Sequence, residues 1–266
     1  MPTGRTGITA QDGLRPNEDR DYVASLEKGL AIIETFEAGR PRLTLTDVAR
    51  LSGTTRAAAR RYLRTLTRLG YADFDGRFFS LTPRILRLGY AYLSSAPLPA
   101  RLLPFLEKIS QETGESSSAA MLDGDEIVYI ARSATRRILS IGLGVGSRLP
   151  AYCTSLGRAI LAYHAPDAVE AWLDRVALDQ RTPFTITDRG RLLAELGAVR
   201  EQGYAVVNEE LELGLRSIAV PIRREDGSVQ LAVNVGTQAA RVKASDMTER
   251  FLPPLRAAAE ALRYTL

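Results

Sequence analysis

Leu45-Thr-Asp-Val-Ala-Arg-Leu-Ser-Gly-Thr-Thr-Arg-Ala-Ala-Ala-Arg-Arg-Tyr-Leu-Arg-Thr-Leu-Thr-Arg-Leu69 is the stretch whose reading decides this chain. It reads as two helices joined at Ser52-Gly53-Thr54. The first carries Leu45, Val48, Ala49 and Leu51 on one side. The second starts behind Thr54 and Thr55 as caps and places Ala59, Tyr62, Leu63 and Leu66 on a buried stripe. A tight turn between crossed helices needs a left-handed residue, which Gly53 supplies. Ala49 is small enough to let the second helix approach.

The outer face of the second helix carries the charge. Arg56, Arg60 and Arg64 recur at i, i+4 and i+8, with Arg61 and Arg68 beside them. From Arg50 to Arg68 there are six arginines and no acid. A solvated helix normally mixes signs to gain i,i+4 pairs. A one-sided cationic face suits a polyanion lying along it. The bland alternative is a basic surface helix on an Arg-rich chain.

Charge elsewhere sharpens the contrast. Residues 1–95 hold 15 Lys and Arg against 10 Asp and Glu, whereas 96–266 hold 20 against 21. Within 40–90 the balance is 11 against 3. The net charge of +4 is therefore concentrated on the helix-turn-helix neighbourhood, as expected of a separate nucleic-acid-binding domain.

A length of 266 residues fits one large or two modest domains. Apolar content of 45% and a mean hydropathy of -0.09 indicate a soluble globular chain. No apolar run is long enough to span a membrane, and the first twenty residues lack the apolar core of a signal peptide. Those residues are expected to form a disordered arm. One cysteine, Cys153, excludes an internal disulfide and suits a reducing cytoplasm. With one Cys and one His, no metal cluster is expected, and no cofactor.

Asp21 to Glu37 reads as an amphipathic helix whose Val23, Leu26, Leu30, Ile33 and Phe36 form the buried face of a small bundle. Tyr71 to Leu81 reads as a hairpin about Asp75-Gly76, a wing with Arg77 at its tip. The winged helix-turn-helix domain then spans 21–81. Thr82-Pro83 opens a linker helix over 82–97, with Thr as cap and Pro in the first turn. Its apolar face, Ile85, Leu86, Leu88, Tyr92 and Leu93, packs either on a second copy or on the chain's own second domain. Ser94 to Pro99 is the domain boundary. Beyond it, 98–266 mixes hairpins with helices and reads as an α+β domain with helices on the faces of a sheet. Strands are expected at 117–122, 126–132, 137–141, 204–208, 217–223 and 229–237. Helices are expected at 100–112, 155–163, 167–176, 188–202 and 245–263, with Pro253-Pro254 as a candidate break in the last.

Several motifs fit together in order and spacing. They are Ser25-Leu-Glu-Lys-Gly-Leu30, the helix-turn-helix with Gly53 and Arg61, and Leu69-Gly-Tyr71. In the second half they are Arg148-Leu-Pro-Ala-Tyr-Cys-Thr-Ser-Leu-Gly-Arg158, Gly203-Tyr204 and Asn208 to Pro221. Across nearly all of 21–266 they resemble the IclR family of bacterial transcriptional regulators. Thr55 to Arg61 and Leu149 to Ser155 are similar to the branch that includes PcaR, PcaU and PobR, which controls protocatechuate, 4-hydroxybenzoate and β-ketoadipate catabolism. The resemblance implies a winged helix, a linker helix and a GAF-like effector domain, assembled as a homodimer or tetramer on palindromic operator DNA. RNA polymerase is a further candidate partner.

For DNA, the groove-facing set is Thr55, Arg56, Ala57, Arg60 and Arg61. Arginine binds guanine in two-pronged fashion and Ala57 suits a thymine methyl. Arg61 has a second reading, as a brace on the backbone. Arg64, Arg68 and Arg77 are assigned to phosphates. For the effector, Tyr152-Cys-Thr-Ser-Leu-Gly157 opens a helix whose first-turn amides can hold a carboxylate. The resemblance places the anion-binding amides at Ser155 and Leu156, and a pocket wall at Ser217 and Asn234. Asn208, beside Glu209-Glu210, is assigned to the mouth. Tyr152 and Thr154 are hydrogen-bonding candidates, and Arg132, Arg137 and Arg148 cationic ones. Thr154 or Ser155 as simple caps, and Asn234 as a satisfied sheet residue, remain open. Gly142-Leu-Gly-Val-Gly146 lacks the spacing and the following helix of a phosphate loop. Cys153 and His164 lie too far apart along one helix to form a thiol pair. A ligand-responsive regulator of aromatic-acid catabolism is the reading adopted. Its rivals are a regulator answering a different small organic acid, a ligand-independent architectural DNA binder and an enzyme with an accessory DNA domain.

Overall fold

The computed structural model describes residues 21–37, 39–95, 97–134 and 143–263. The chain folds as two compact units, dividing between Tyr92 and Leu93. The expected arm over 1–20, the expected strand 137–141 and Arg137 lie outside the described residues.

The first unit contains α1 (Ala24–Glu34), α2 (Leu45–Leu51), α3 (Arg56–Arg68), β1 (Ala72–Phe74) and β2 (Phe79–Leu81). Thr44 starts α2 with a reciprocal cap, accepting from the Asp47 N–H while the Asp47 carboxylate accepts from the Thr44 N–H. Thr55 caps α3 by accepting from the Ala58 N–H, and Gly53 has φ +64. The core is Ile32, Leu43, Val48, Ala49, Ala59, Leu63 and Phe79. The α2–α3 reading therefore holds in its packing stripe and its turn.

The reading of α1 does not. Ile32 is its buried residue, and Gly29 faces Tyr62. Val23, Leu26 and Leu30, expected to fill the bundle, are exposed, Leu26 by 62%. The two short helices α2 and α3 cover only one narrow side of α1, so its wide apolar stripe exceeds what one chain can bury. A 3-10 turn, Pro83–Ile85, with Thr82 as its cap, leads into α4 (Leu86–Ser95). Leu86, Leu88, Tyr90 and Tyr92 stand exposed on α4.

Among the described residues the second unit is built on a six-stranded antiparallel sheet. Its strands are β3 (Ser116–Asp123), β4 (Glu126–Ser133), β5 (Arg148–Pro150), β6 (Ala205–Asn208), β7 (Leu215–Arg223) and β8 (Val229–Gln238), in the order β5-β4-β3-β8-β7-β6. On one face lie α5 (Leu98–Thr113) and α9 (Met247–Arg263), packed around Leu102, Ile109, Val233, Phe251 and Leu255. On the other lie α6 (Ser155–Leu161), α7 (Pro166–Arg175) and α8 (Arg189–Gln202), around Ile127, Leu156, Ile160, Trp172 and Leu192. The helix α9 continues through Pro253-Pro254 rather than breaking there. Strand β5 was not anticipated, because three residues ending in proline carry no alternation to read.

Candidate nucleic-acid interface and buried cavity

On α3, Thr55, Arg56, Ala57, Arg60, Arg61, Arg64 and Arg68 are all exposed, and so is Arg77 on the wing. Among the described residues none of these six arginines has a carboxylate within ion-pair distance. The sequence-predicted set thus shares one unit, and Arg60, Arg64, Arg68 and Arg77 converge further, on an open groove between α3 and the hairpin. The hairpin turn is fixed from within. The Asp75 carboxylate accepts from the Phe78 and Arg77 N–H groups, which holds it below the usual carboxylate range. Arg42 pairs with the same carboxylate, and the Arg42 and Arg77 guanidinium groups each lie 5.0 Å from the Phe78 ring.

The second unit holds a small cavity, about 40 Å³, between the sheet and the start of α6. Its position is written into Tyr152-Cys-Thr-Ser-Leu-Gly157. Residues Ala151–Cys153 form a 3-10 turn that folds tightly under the next helix. A Cβ at Gly157 would lie 2.2 Å from the Ala151 carbonyl oxygen, so only glycine permits that approach. Thr154 then caps α6, accepting from the Gly157 N–H at 3.2 Å and donating to the Pro150 carbonyl at 3.1 Å. The Ser155 and Leu156 N–H groups stand in the first turn, where the helix itself supplies no acceptor.

Of the predicted effector residues, Arg132, Thr154, Ser155, Leu156, Ser217 and Asn234 line this cavity together. Three carry a buried polar atom with no hydrogen-bond partner: Arg132 Nε, Ser155 Oγ and Asn234 Oδ1. Asn234 is 6% exposed and Ser155 0%. Leaving a buried polar atom unpaired costs about 1–3 kcal/mol, so these three groups are open to a ligand or to water filling the space. Asn234 is thus not the satisfied sheet residue of the alternative reading.

Three predicted residues are placed elsewhere. The Tyr152 hydroxyl donates to the Asp179 carbonyl at 2.7 Å, and Tyr152 packs in the core rather than lining the cavity. Asn208 accepts from Arg216 Nε at 2.5 Å and so serves the end of β6 rather than the cavity. Arg148 is exposed and pairs with Asp123 and Glu126, both at 2.7 Å, on the edge strand.

Other lining groups were not anticipated. Ser116 and Ser118 alternate along β3 toward the cavity, while Ser117 between them donates to the Leu106 carbonyl on the opposite face. Three consecutive serines put polar groups on both faces of the strand, so the sequence carries no signal for which face meets the cavity. Tyr129 lies under Arg132, 5.9 Å from ring to guanidinium, and burial pushes its phenol up to about 12. Cys153 also lines the cavity, and burial pushes its thiol up to about 11, which leaves it protonated and inert near neutral pH. His164 belongs to a separate groove with Arg200.

Comparison with known proteins decides the family. Residues 25–76 match the IclR helix-turn-helix domain, and residues 90–264 match the bacterial transcriptional regulator IclR C-terminal domain. The chain belongs to the IclR family of bacterial transcriptional regulators. It is 47% identical over 249 residues to the Pca regulon regulatory protein of Pseudomonas putida, covering 93% of this chain and 86% of that one. It is 42% identical over 248 residues to the p-hydroxybenzoate hydroxylase transcriptional activator of Acinetobacter baylyi, covering 91% and 92%. Among solved structures, a double mutant of the PobR inducer-binding domain from Acinetobacter, in complex with 3-hydroxybenzoic acid, superposes with a TM-score of 0.61. It is 35% identical and covers 64% of this chain and all of that one. An IclR-family chain is a DNA-binding regulator and not an enzyme. No described helix is long and apolar enough to cross a membrane.

Proposed function

We propose that this IclR-family chain regulates genes of aromatic-acid catabolism and takes a hydroxylated benzoate in the cavity between α6 and the sheet. The observation that carries the reading is the convergence of Arg132 Nε, Ser155 Oγ and Asn234 Oδ1, all unpartnered, on one space. Arg132 and the Ser155–Leu156 amides supply charge and donors for a carboxylate. Asn234, Ser217 and the neutral Tyr129 phenol can serve a ring hydroxyl. Leu143, Leu149, Leu156 and Leu215 enclose the ring. The names of the curated relatives and the benzoate held by the solved relative agree with this chemistry.

On DNA, Arg56, Arg60 and Arg61 read base edges, while Arg64, Arg68 and Arg77 hold phosphates. The functional species is a homodimer or an assembly of dimers. The exposed stripe Val23, Leu26 and Leu30 on α1 and the apolar face of α4 need a covering surface, and a second copy supplies one. Ligand binding shifts an equilibrium between two arrangements of the paired linker helices, and so the spacing of the two winged helices on the operator.

Titration calorimetry with 3-hydroxybenzoate, 4-hydroxybenzoate, protocatechuate and β-ketoadipate tests the cavity. At least one hydroxybenzoate should bind the native protein, and Arg132→Gln should weaken it about tenfold or more. Equal binding to native protein and variant would put the carboxylate elsewhere. Absence of binding by all four acids would overturn the effector class.

A further inference from the structure

The groove between α3 and the hairpin has an apolar floor as well as a cationic rim. Leu45, Phe74 and Phe79 form the floor; Arg60, Arg64, Arg68 and Arg77 form the rim. Phe74 is the unexpected member. It is 49% exposed. Its ring stacks on Phe79, with centroids 4.4 Å apart and planes 26° apart, and Phe79 is itself a core residue of the unit. Phe74 is therefore held rigidly while half its surface faces water.

We propose that Phe74 packs against a deoxyribose of bound duplex DNA, with arginines of the rim on the phosphates to either side. The inference rests on duplex DNA being the partner of this unit. A nucleic-acid strand is apolar at each sugar and anionic at each phosphate, and the groove repeats that alternation in the complementary sense. No acidic residue lines it. The rim arginines have no ion-pair partners among the described residues, so they are available to phosphates without first breaking a bridge. Phe74 thus adds an apolar surface that carries no sequence information and, unlike the arginines, releases no counterions. It lies on β1, the strand that follows α3, and so ties the position of the wing to that of the recognition helix on the duplex.

The test uses the full chain and a duplex operator selected by the protein itself from a random pool. Phe74→Ala should weaken binding about tenfold, on operator and unrelated duplex alike, as loss of half a buried phenyl predicts. The slope of log K against log salt should not change. Arg64→Ala and Arg77→Ala should instead reduce that slope by about 0.9 for each phosphate no longer neutralised. Phe74→Leu, which keeps an apolar cover over Phe79, should retain most of the affinity and the native melting temperature. Hydroxyl radicals attack deoxyribose directly, so nucleotides protected by the native protein should become cleaved in the Phe74→Ala complex. Unchanged affinity, a changed salt slope or an unchanged radical footprint for Phe74→Ala overturns the proposal. Loss of poly-glutamate binding with operator binding intact would assign the groove to an acidic protein segment instead, and also overturns it. Failure of the native protein to bind any duplex would overturn the DNA reading itself.

Discussion

Arg158 and Glu210 meet in a two-pronged ion pair, Nη1 to Oε1 at 2.7 Å and Nη2 to Oε2 at 2.5 Å, across 52 residues of sequence. Both are buried. Arg158 Nε also donates to the Tyr152 carbonyl at 2.8 Å, and Glu210 Oε2 accepts from the Ile186 N–H at 3.1 Å. Thr182 and Thr185 donate to the Glu209 and Glu210 carbonyls at 2.7 and 2.6 Å. The helix that opens the cavity, the loop that carries Leu211 into it and the segment before α8 are therefore fastened at one point.

Removing Arg158 leaves the Glu210 charge buried and uncompensated, which typically costs about 3–5 kcal/mol, and removing Glu210 leaves Arg158 only the longer pair with Glu195 at 3.9 Å. Glu210→Gln or Arg158→Met should lower the melting temperature of the second unit by about 10 °C, read by circular dichroism. The double variant Arg158→Met/Glu210→Leu should recover much of that loss, because an apolar pair removes both desolvation penalties. A single variant as stable as the native protein would show that water reaches the pair.

Gly236 offers a cleaner probe of the cavity than any residue of α6. It lies within β8, between Ser116 and Ser217 on the flanking strands, and a Cβ added there meets nothing within 4 Å. Glycine weakens a strand interior, so its presence here leaves space rather than relieving a clash. Gly236→Val should abolish hydroxybenzoate binding by calorimetry while leaving the melting temperature equal or higher. Retained binding would place the ligand outside this cavity.

The helix-turn-helix was legible because its signals are local: caps, a left-handed glycine, a period of 3.6 and a one-sided run of arginines. Much of the sheet was legible as strand ranges: those expected at 117–122 and 126–132 fall on β3 and β4. The site was legible only in part. Its backbone came through the helix start at Thr154-Ser155, but polar side chains of a sheet are sorted by register, which no single strand reveals. Asn208 and Asn234 look alike in sequence; Arg216 donates to Oδ1 of the first, and no described residue donates to Oδ1 of the second. Arg158 stood inside a recognised motif, yet its partner became visible only once β6 and α6 were brought together. The face of α1 was misassigned for a different reason. Periodicity shows that an apolar stripe exists, not whether the covering surface belongs to the same chain.

That stripe gives a prediction about assembly. Val23, Leu26 and Leu30 on α1 and Leu86, Tyr90 and Tyr92 on α4 are exposed within one chain, Tyr90 by 70%. If a second copy covers them, Leu26→Glu combined with Tyr90→Glu should shift the protein toward monomer in sedimentation equilibrium and weaken operator binding steeply. The second unit should keep its ligand affinity, since none of these residues lines the cavity. An unchanged sedimentation mass would assign the stripe another partner.

Cys153 gives a prediction that depends on pH. Burial is the main cause raising its thiol from 9.0 to about 11, with Arg181 and Arg158 opposing the rise. The folded thiol therefore keeps its proton where the unfolded one has begun to lose it. Its contribution to stability is complete below about pH 9 and declines as pH climbs toward 11, because only the unfolded chain gains from ionisation there. At pH 8, iodoacetamide should modify Cys153 readily in urea and scarcely at all in the native chain, as followed by intact mass. A saturating hydroxybenzoate should slow the residual native reaction further, because the thiol lines the same cavity as Ser155 and Asn234. Rapid native labelling that ligand does not slow would show that the thiol is reached by a route other than the ligand's.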